Sequence, residues 1–386
     1  MRILLYQWKT YGNRFLQHHL QELGHEVMLW SDDAIIKSDE RALAGLEKEL
    51  GNGYDVVFSY NYFTVVAIAC HTKGVPYIAW TLDSPMLSLY DHSACFETNY
   101  FFCFDYEQCE GLKKRGVRNV FYCPLATDVS FMHRTANACS IEESGKYAAG
   151  ISFVGSLYTE KDMWSDMAGM PDFLKGYFDG IVDTQLLIPS LRFSQTQIPL
   201  DVIGKIRQVL DFQGLERSSV RYEELVDNII DRQVTVVERK KMIELLEANP
   251  DFKLYTNSDT SAYPKVNNCG SVDYYTEMPK VFRNSKININ VTLRSIRSGI
   301  PLRILDVMAS GGFLLTNAQP ELDLFFKEGE NIVTFQNLEE MEEKMDYYLS
   351  HESERRKIIE NAYKIVESQF DYKNRLPQIF EMAGLN

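Results

Sequence analysis

Apolar and polar positions along these 386 residues change period in a regular order. Short apolar runs of strand length alternate with stretches where apolar residues recur every three or four positions. In the first part of the chain, Ile3–Tyr6, Val27–Trp30, Asp55–Ser59, Pro76–Trp80, Tyr100–Phe104 and Val120–Cys123 read as strands. Helical spacing lies between them at 12–23, Asp39–Glu49, Val65–His71 and Glu107–Arg115. Strands this uniformly apolar are covered on both faces, so the order predicts a parallel sheet between helical layers.

A second alternating unit opens at Gly150–Gly155. Residues 160–250 read mostly as helix, including Asp201–Phe212, Tyr222–Arg232 and Val237–Glu247. Strands return at Phe252–Tyr255, Ile287–Val291, Phe313–Thr316 and Ile332–Phe335. Charged amphipathic helices follow at 338–349 and 352–368, with a last helix at Pro377–Met382. The small polar residues of 133–147 read as a linker. The expected architecture is α/β: two Rossmann-like doubly wound domains facing a cleft. The N-terminal, acceptor-side domain would span 1–140. The C-terminal domain would span 148–368, with a helical insertion at about 160–250. Residues 369–386 would form a helix packing back on the N-terminal domain. In such sheets ligands collect at the carboxyl ends of the strands.

Charge narrows the partners. Forty basic residues against 54 acidic ones give a net charge of −14, with no long basic run, so a nucleic-acid partner is not expected. No apolar run is long enough for stable membrane insertion. The opening residues read as a strand rather than a secretory signal. The seven cysteines are scattered and form no Cys-x-x-Cys, which favours reduced thiols in a cytoplasmic protein and no zinc site. No Asp-x-Asp pair is present, so neither a metal nor another cofactor is expected.

Against this acidic background, Ser295–Asn317 stands out. Arg294, Arg297 and Ser298 lie in a loop after an apolar strand, and a short helix follows with Arg303 and Asp306. Three arginines within ten residues repel one another unless an anion lies between them, and a diphosphate fits that need. The plainer reading of Arg303 and Asp306 is an i,i+3 surface pair of ~0.2–0.5 kcal/mol. Gly155 and Ser156 follow another strand and offer backbone amides, with Lys161 adding charge; an ordinary turn has the same composition. Asp83 and Ser84 end the fourth strand at the cleft edge. There Asp83 is placed to act as a base or hold a hydroxyl, or simply to cap a helix. Tyr11, Gly12 and Asn13 line the same edge. Tyr274 and Tyr275 suit a nucleobase or a core equally.

Several of these segments together resemble GT-B glycosyltransferases, in particular the bacterial CgeB-like (spore maturation protein type) branch. They are Phe153-Val-Gly-Ser156, Val272-Asp-Tyr-Tyr275 with Glu277-Met-Pro279, Lys286-Ile-Asn-Ile-Asn290 with Thr292, Pro301-Leu-Arg-Ile-Leu-Asp306, and Ala309-Ser-Gly-Gly312. Trp80-Thr-Leu-Asp-Ser-Pro85 is similar to that branch's N-domain motif. The resemblance implies sugar transfer from a nucleotide-diphosphate sugar on the C-terminal unit to a protein, glycan or lipid-linked glycan acceptor on the N-terminal one. Asp306 falls on the second acid of the Glu-x7-Glu element of related retaining enzymes, which holds the donor ribose. Ser298 falls on the first acid, a departure that leaves retention or inversion open. Arg303 and Arg297 are assigned to the diphosphate, and Asp83 and Arg303 to the chemistry. A catalytically silent sugar-nucleotide-binding or partner-binding module is the alternative, and an epimerase on the same fold a third.

Overall fold

The computed structural model describes residues 1–32, 40–159, 171–188, 199, 201, 202, 204 and 222–385. Eleven strands among them form two sheets, and every ladder is parallel. The first sheet contains β1 (Arg2–Tyr6), β2 (Glu26–Trp30), β3 (Val56–Tyr60), β4 (Tyr77–Trp80), β5 (Asn99–Cys103) and β6 (Val120–Tyr122). Its spatial order is β2-β1-β3-β4-β5-β6. The second contains β7 (Ala149–Val154), β8 (Phe252–Tyr255), β9 (Ser285–Asn290), β10 (Leu314–Asn317) and β11 (Val333–Phe335), in the order β11-β10-β9-β7-β8. The strand positions agree closely with the hydrophobic pattern. Strands β3 and β4 are buried at every residue, as a sheet covered on both faces requires.

The first sheet is flanked by α1 (Asn13–Glu22), α2 (Glu40–Leu50), α3 (Thr64–Lys73) and α4 (Tyr106–Lys114). Residues 133–147, expected as a linker, instead fall in α5 (Val129–Asn137) and α6 (Ile141–Tyr147). Their ends carry strong start signals. Asp128 accepts from Phe131 N at 2.8 Å, and Ser140 with Glu143 forms a reciprocal capping box. Both helices pack on α9 (Met278–Asn284), beside the second sheet.

The helical region contains α7 (Asp172–Leu187) and α8 (Tyr222–Leu246). Expected as two helices, 222–246 is continuous because Val234, Thr235 and Val236 are buried and Thr235 returns its hydroxyl to Asp231 O. Of Asp201–Phe212, only 201, 202 and 204 are described. After β9 come α10 (Leu302–Ala309), α11 (Leu338–Ser350), α12 (Glu352–Gln369) and α13 (Tyr372–Ala383). Helix α13 begins five residues before Pro377, with Asp371 as its cap. Burial of Tyr372, Leu376, Ile379 and Phe380 outweighs the interior proline. This helix lies against α1, and Phe380 meets Phe58 of β3. One continuous apolar core runs from the inner face of the first sheet, through α13, to α10.

Candidate active site

Each sheet reverses its winding once, and a crevice opens where the chains leave in opposite directions. In the first sheet that point lies between β1 and β3; in the second, between β7 and β9.

At the second crevice sits Arg239, from the middle of α8. Its guanidinium donates to the carbonyls of Ser156, just beyond β7, and Val291, just beyond β9. It lies 5.4 Å from the Phe153 ring centroid and 4.9 Å from that of Tyr158. Tyr158 is one of two non-glycine residues with positive φ among the described residues. Burial pushes the Arg239 guanidinium down from its ordinary range, and the nearby Arg303 charge acts in the same direction. Its Nε makes no hydrogen bond to a described residue, and neither does Nδ2 of the buried Asn317, whose Oδ1 receives Thr292 N at 2.7 Å. Two unsatisfied buried donors at these strand ends are what an oxygen-rich ligand would satisfy. Arg239 was not among the candidates drawn from the sequence. The signal was available: with Thr235, Met242 and Leu246 buried, helical spacing puts Glu238 and Arg239 on that same buried face.

The arginines that were singled out separate into two groups. Arg294 makes a two-pronged pair with Glu238, Nε to Oε2 at 2.9 Å and Nη2 to Oε1 at 2.5 Å. Arg297 reaches Asp227 at 3.4 Å and Asp231 at 3.9 Å. Both are thus turned to carboxylates of α8, which answer the charge that the sequence reading gave to a diphosphate. Arg303 makes no ion pair with a described residue. It lies 5.4 Å from the Phe282 ring centroid and touches the Met278 sulfur.

Asp306 is 1% exposed. Its Oδ1 accepts from Thr127 Oγ1 at 2.9 Å and Tyr274 OH at 3.2 Å. Burial pushes its carboxyl up to about 6, while Arg303 and these two hydroxyls pull it back. Ser298 is buried in the contact between the two sheets' loops, held by Asp105 and Glu321 rather than facing a cavity. Gly299 permits that approach, since a Cβ there would stand 2.9 Å from Phe104 O. Gly155 and Ser156 flank the crevice, with Ser156 Oγ 3.4 Å from Ser258 Oγ. Lys161 lies outside the described residues.

On the first sheet, Gly12 has φ +93° and closes the β1–α1 turn against Tyr60 and Tyr372. Asn13 donates to Trp8 O at 2.7 Å, fixing that turn. Tyr11, 62% exposed, stacks on Tyr274 at 4.8 Å, so residues from the two domains meet face to face. Tyr274 is therefore covered, and the outer face of Tyr11 is the open one. Tyr275 lies edge-on to Phe15 and takes Arg14 over its ring at 5.5 Å. Asp83 is exposed beyond β4, and Asn61, beyond β3, donates to its Oδ2 at 2.7 Å. Ser84 points the other way, to Asp105 Oδ2 at 2.7 Å. A cavity of about 170 Å³ opens beside it, bounded by Ser84, Tyr90, Gln108, Glu224 and Arg297.

The two-sheet architecture superposes on solved structures over the full length of the chain. HepE of Anabaena, in complex with UDP-glucose, superposes with a TM-score of 0.59 at 11% identity, covering 100% of this chain and 99% of that one. Sucrose-phosphate synthase from Thermosynechococcus elongatus gives 0.56 at 10%, covering 100% and 98%. The α,α-trehalose 6-phosphate synthase of Burkholderia multivorans gives 0.55 at 11%, covering 100% and 98%. The chain has the GT-B fold. A family model described as glycosyl transferase-like matches residues 232–381, the part of the GT-B architecture that holds Arg239, Arg303 and Asp306. No curated protein sequence matches the chain. No described helix is long and apolar enough to cross a membrane, and no described cluster of His, Cys, Asp or Glu suits a metal ion.

Proposed function

We propose that this chain is a GT-B glycosyltransferase that moves a sugar from a nucleotide-diphosphate donor, bound at the β7/β9 crevice, to an acceptor bound against the first sheet. The observation that carries this is the pair Arg239 and Arg303 at the second crevice: the buried Arg239 Nε bonds to no described residue, and the Arg303 charge acts on both Arg239 and Asp306 without forming an ion pair with a described residue. The glycosyl transferase-like match over 232–381 and the UDP-glucose in the HepE structure support it.

Charge builds on the leaving diphosphate as the glycosidic bond breaks. Two guanidinium groups already fixed in place stabilise it without reorganisation. Buried Asp306 anchors the donor ribose when Tyr274 yields its bond. Asp83, oriented by Asn61, takes the acceptor proton if the reaction inverts, or orients the acceptor if it retains. The arginines do this without a metal. Within the superfamily the reading is the bacterial, cytoplasmic CgeB-like branch, with a glycan, protein or lipid-linked glycan as acceptor.

The burial of Ser298, where related retaining enzymes carry an acid, favours one rival: a module that binds sugar nucleotides without turning them over. Incubation with UDP-, GDP- and dTDP-sugars separates the two. Release of nucleoside diphosphate from at least one donor is expected. Binding with no hydrolysis or transfer would favour the silent module.

A further inference from the structure

On the side of the second domain where α5, α9 and α12 meet, a groove of about 640 Å³ collects positive charge. Arg283 comes from α9, Arg356 and Lys364 from α12, and the His133 imidazole from α5; Glu360 is the one carboxylate in the lining. In a chain with 14 more acidic than basic residues this is a local inversion of sign.

Two of the cations are held in place. Arg283 donates to the Gly311 carbonyl at 3.2 Å, at the end of α10. Gly311 is needed there, because it has φ +71° and a Cβ would collide with that guanidinium. Arg356 is braced one turn along by Glu352, at 2.5 Å. Lys364, exposed on the same helix face, makes no ion pair with a described residue. One wall is aromatic, with the His133 and Tyr363 rings 5.0 Å apart. A guanidinium fixed by a carbonyl keeps its remaining N–H groups aimed outward, an arrangement that suits phosphate oxygens. A concave groove of this size takes a small molecule rather than a flat bilayer surface.

We infer that this groove is a second anion site, distinct from the donor crevice, that binds a phosphate group of a small molecule. It lies beside the two interdomain crossings. Helix α5 starts two residues after Thr127 and α12 ends two residues before Asp371, the two residues bridged where the chain crosses between domains. An anion bridging α5 and α12 would therefore tie the two crossings together.

Inorganic pyrophosphate is the probe, titrated calorimetrically into the intact chain and three variants. Arg303→Gln addresses the donor crevice. Arg283→Gln/Lys364→Gln addresses the groove, and Lys364→Glu, at an exposed position, does so without touching the Gly311 contact. The groove component should weaken at least tenfold in the double variant and in Lys364→Glu, and persist in Arg303→Gln. Absence of pyrophosphate binding to the wild type would overturn the inference. So would groove variants that bind like the wild type.

Discussion

Asp105 and Glu321 come from opposite domains and share one hydroxyl: Ser298 Oγ stands 2.6 Å from Asp105 Oδ1 and 2.7 Å from Glu321 Oε1. A hydroxyl has a single proton, so Ser298 bridges the two carboxyls while itself accepting from Glu107 N at 3.2 Å. Asp105 also accepts from Ser84 Oγ, Glu107 N and Arg297 N, which suits a carboxylate. Burial pushes Glu321 above its ordinary range, with Asp105 adding to the effect. Glu321 in turn accepts from Tyr106 N at 2.7 Å through Oε1 and from Tyr122 OH at 2.6 Å through Oε2, so donors from both domains converge on the two carboxyls.

Because burial raises Glu321, its contribution to stability is full below the ordinary carboxylate range and falls as pH rises above it. Glu321→Gln removes that titration. We expect the melting temperature of the variant to depend less on pH above the ordinary carboxylate range than that of the wild type. An unchanged pH slope would show that Glu321 does not set it.

Asp306 follows the same sign. Its carboxyl is raised to about 6, so the folded chain holds more protons than the unfolded one between the ordinary Asp range and that value. Stability from this group falls as pH climbs through that window, by on the order of 3 kcal/mol in all. Asp306→Asn keeps an acceptor for Thr127 and Tyr274. It should match or exceed wild-type stability at pH 8 and lose that advantage near pH 4. Its donor affinity should fall about tenfold or more if the carboxylate holds ribose hydroxyls. Chemical denaturation across pH, with donor titration, measures both.

Arg239 joins the loops beyond β7 and β9 through two carbonyls, a geometry that a lysine ammonium does not reproduce. Arg239→Lys should cost about 2–4 kcal/mol of stability and at least 100-fold in turnover. Full activity in a stable lysine variant would remove the guanidinium from the chemistry.

Asp83→Asn tests the acceptor side. Asn61 can still donate to the new amide oxygen, so the loop should hold. Turnover is expected to fall roughly 10²–10⁴-fold with donor affinity unchanged. Near-normal turnover would take Asp83 out of the reaction.

The strands and most helix bodies were legible because each carries its own periodicity. Val56–Tyr60 is buried throughout, and Ile287 and Ile289 alternate with buried asparagines that bond to Ser152, Thr292 and Thr316. What could not be read was which charges meet. Arg294 and Arg297 looked unbalanced because their partners Glu238, Asp227 and Asp231 lie more than 50 residues away on α8. Arg239 was hidden by the converse: an ordinary charged pair, Glu238–Arg239, in a helix whose buried face was not assigned. Ser298 shows a third limit. Its position in a motif suggested a ligand contact, whereas docking of the two domains covers it.

Calorimetric titration of UDP, GDP and dTDP into the wild type and Arg303→Gln tests the central claim most directly. We predict that at least one nucleoside diphosphate binds the wild type, and that Arg303→Gln weakens it tenfold or more, about 1.4 kcal/mol, without unfolding the chain. Equal affinity in the two proteins, or no binding by any of the three, would contradict a diphosphate site at the β7/β9 crevice.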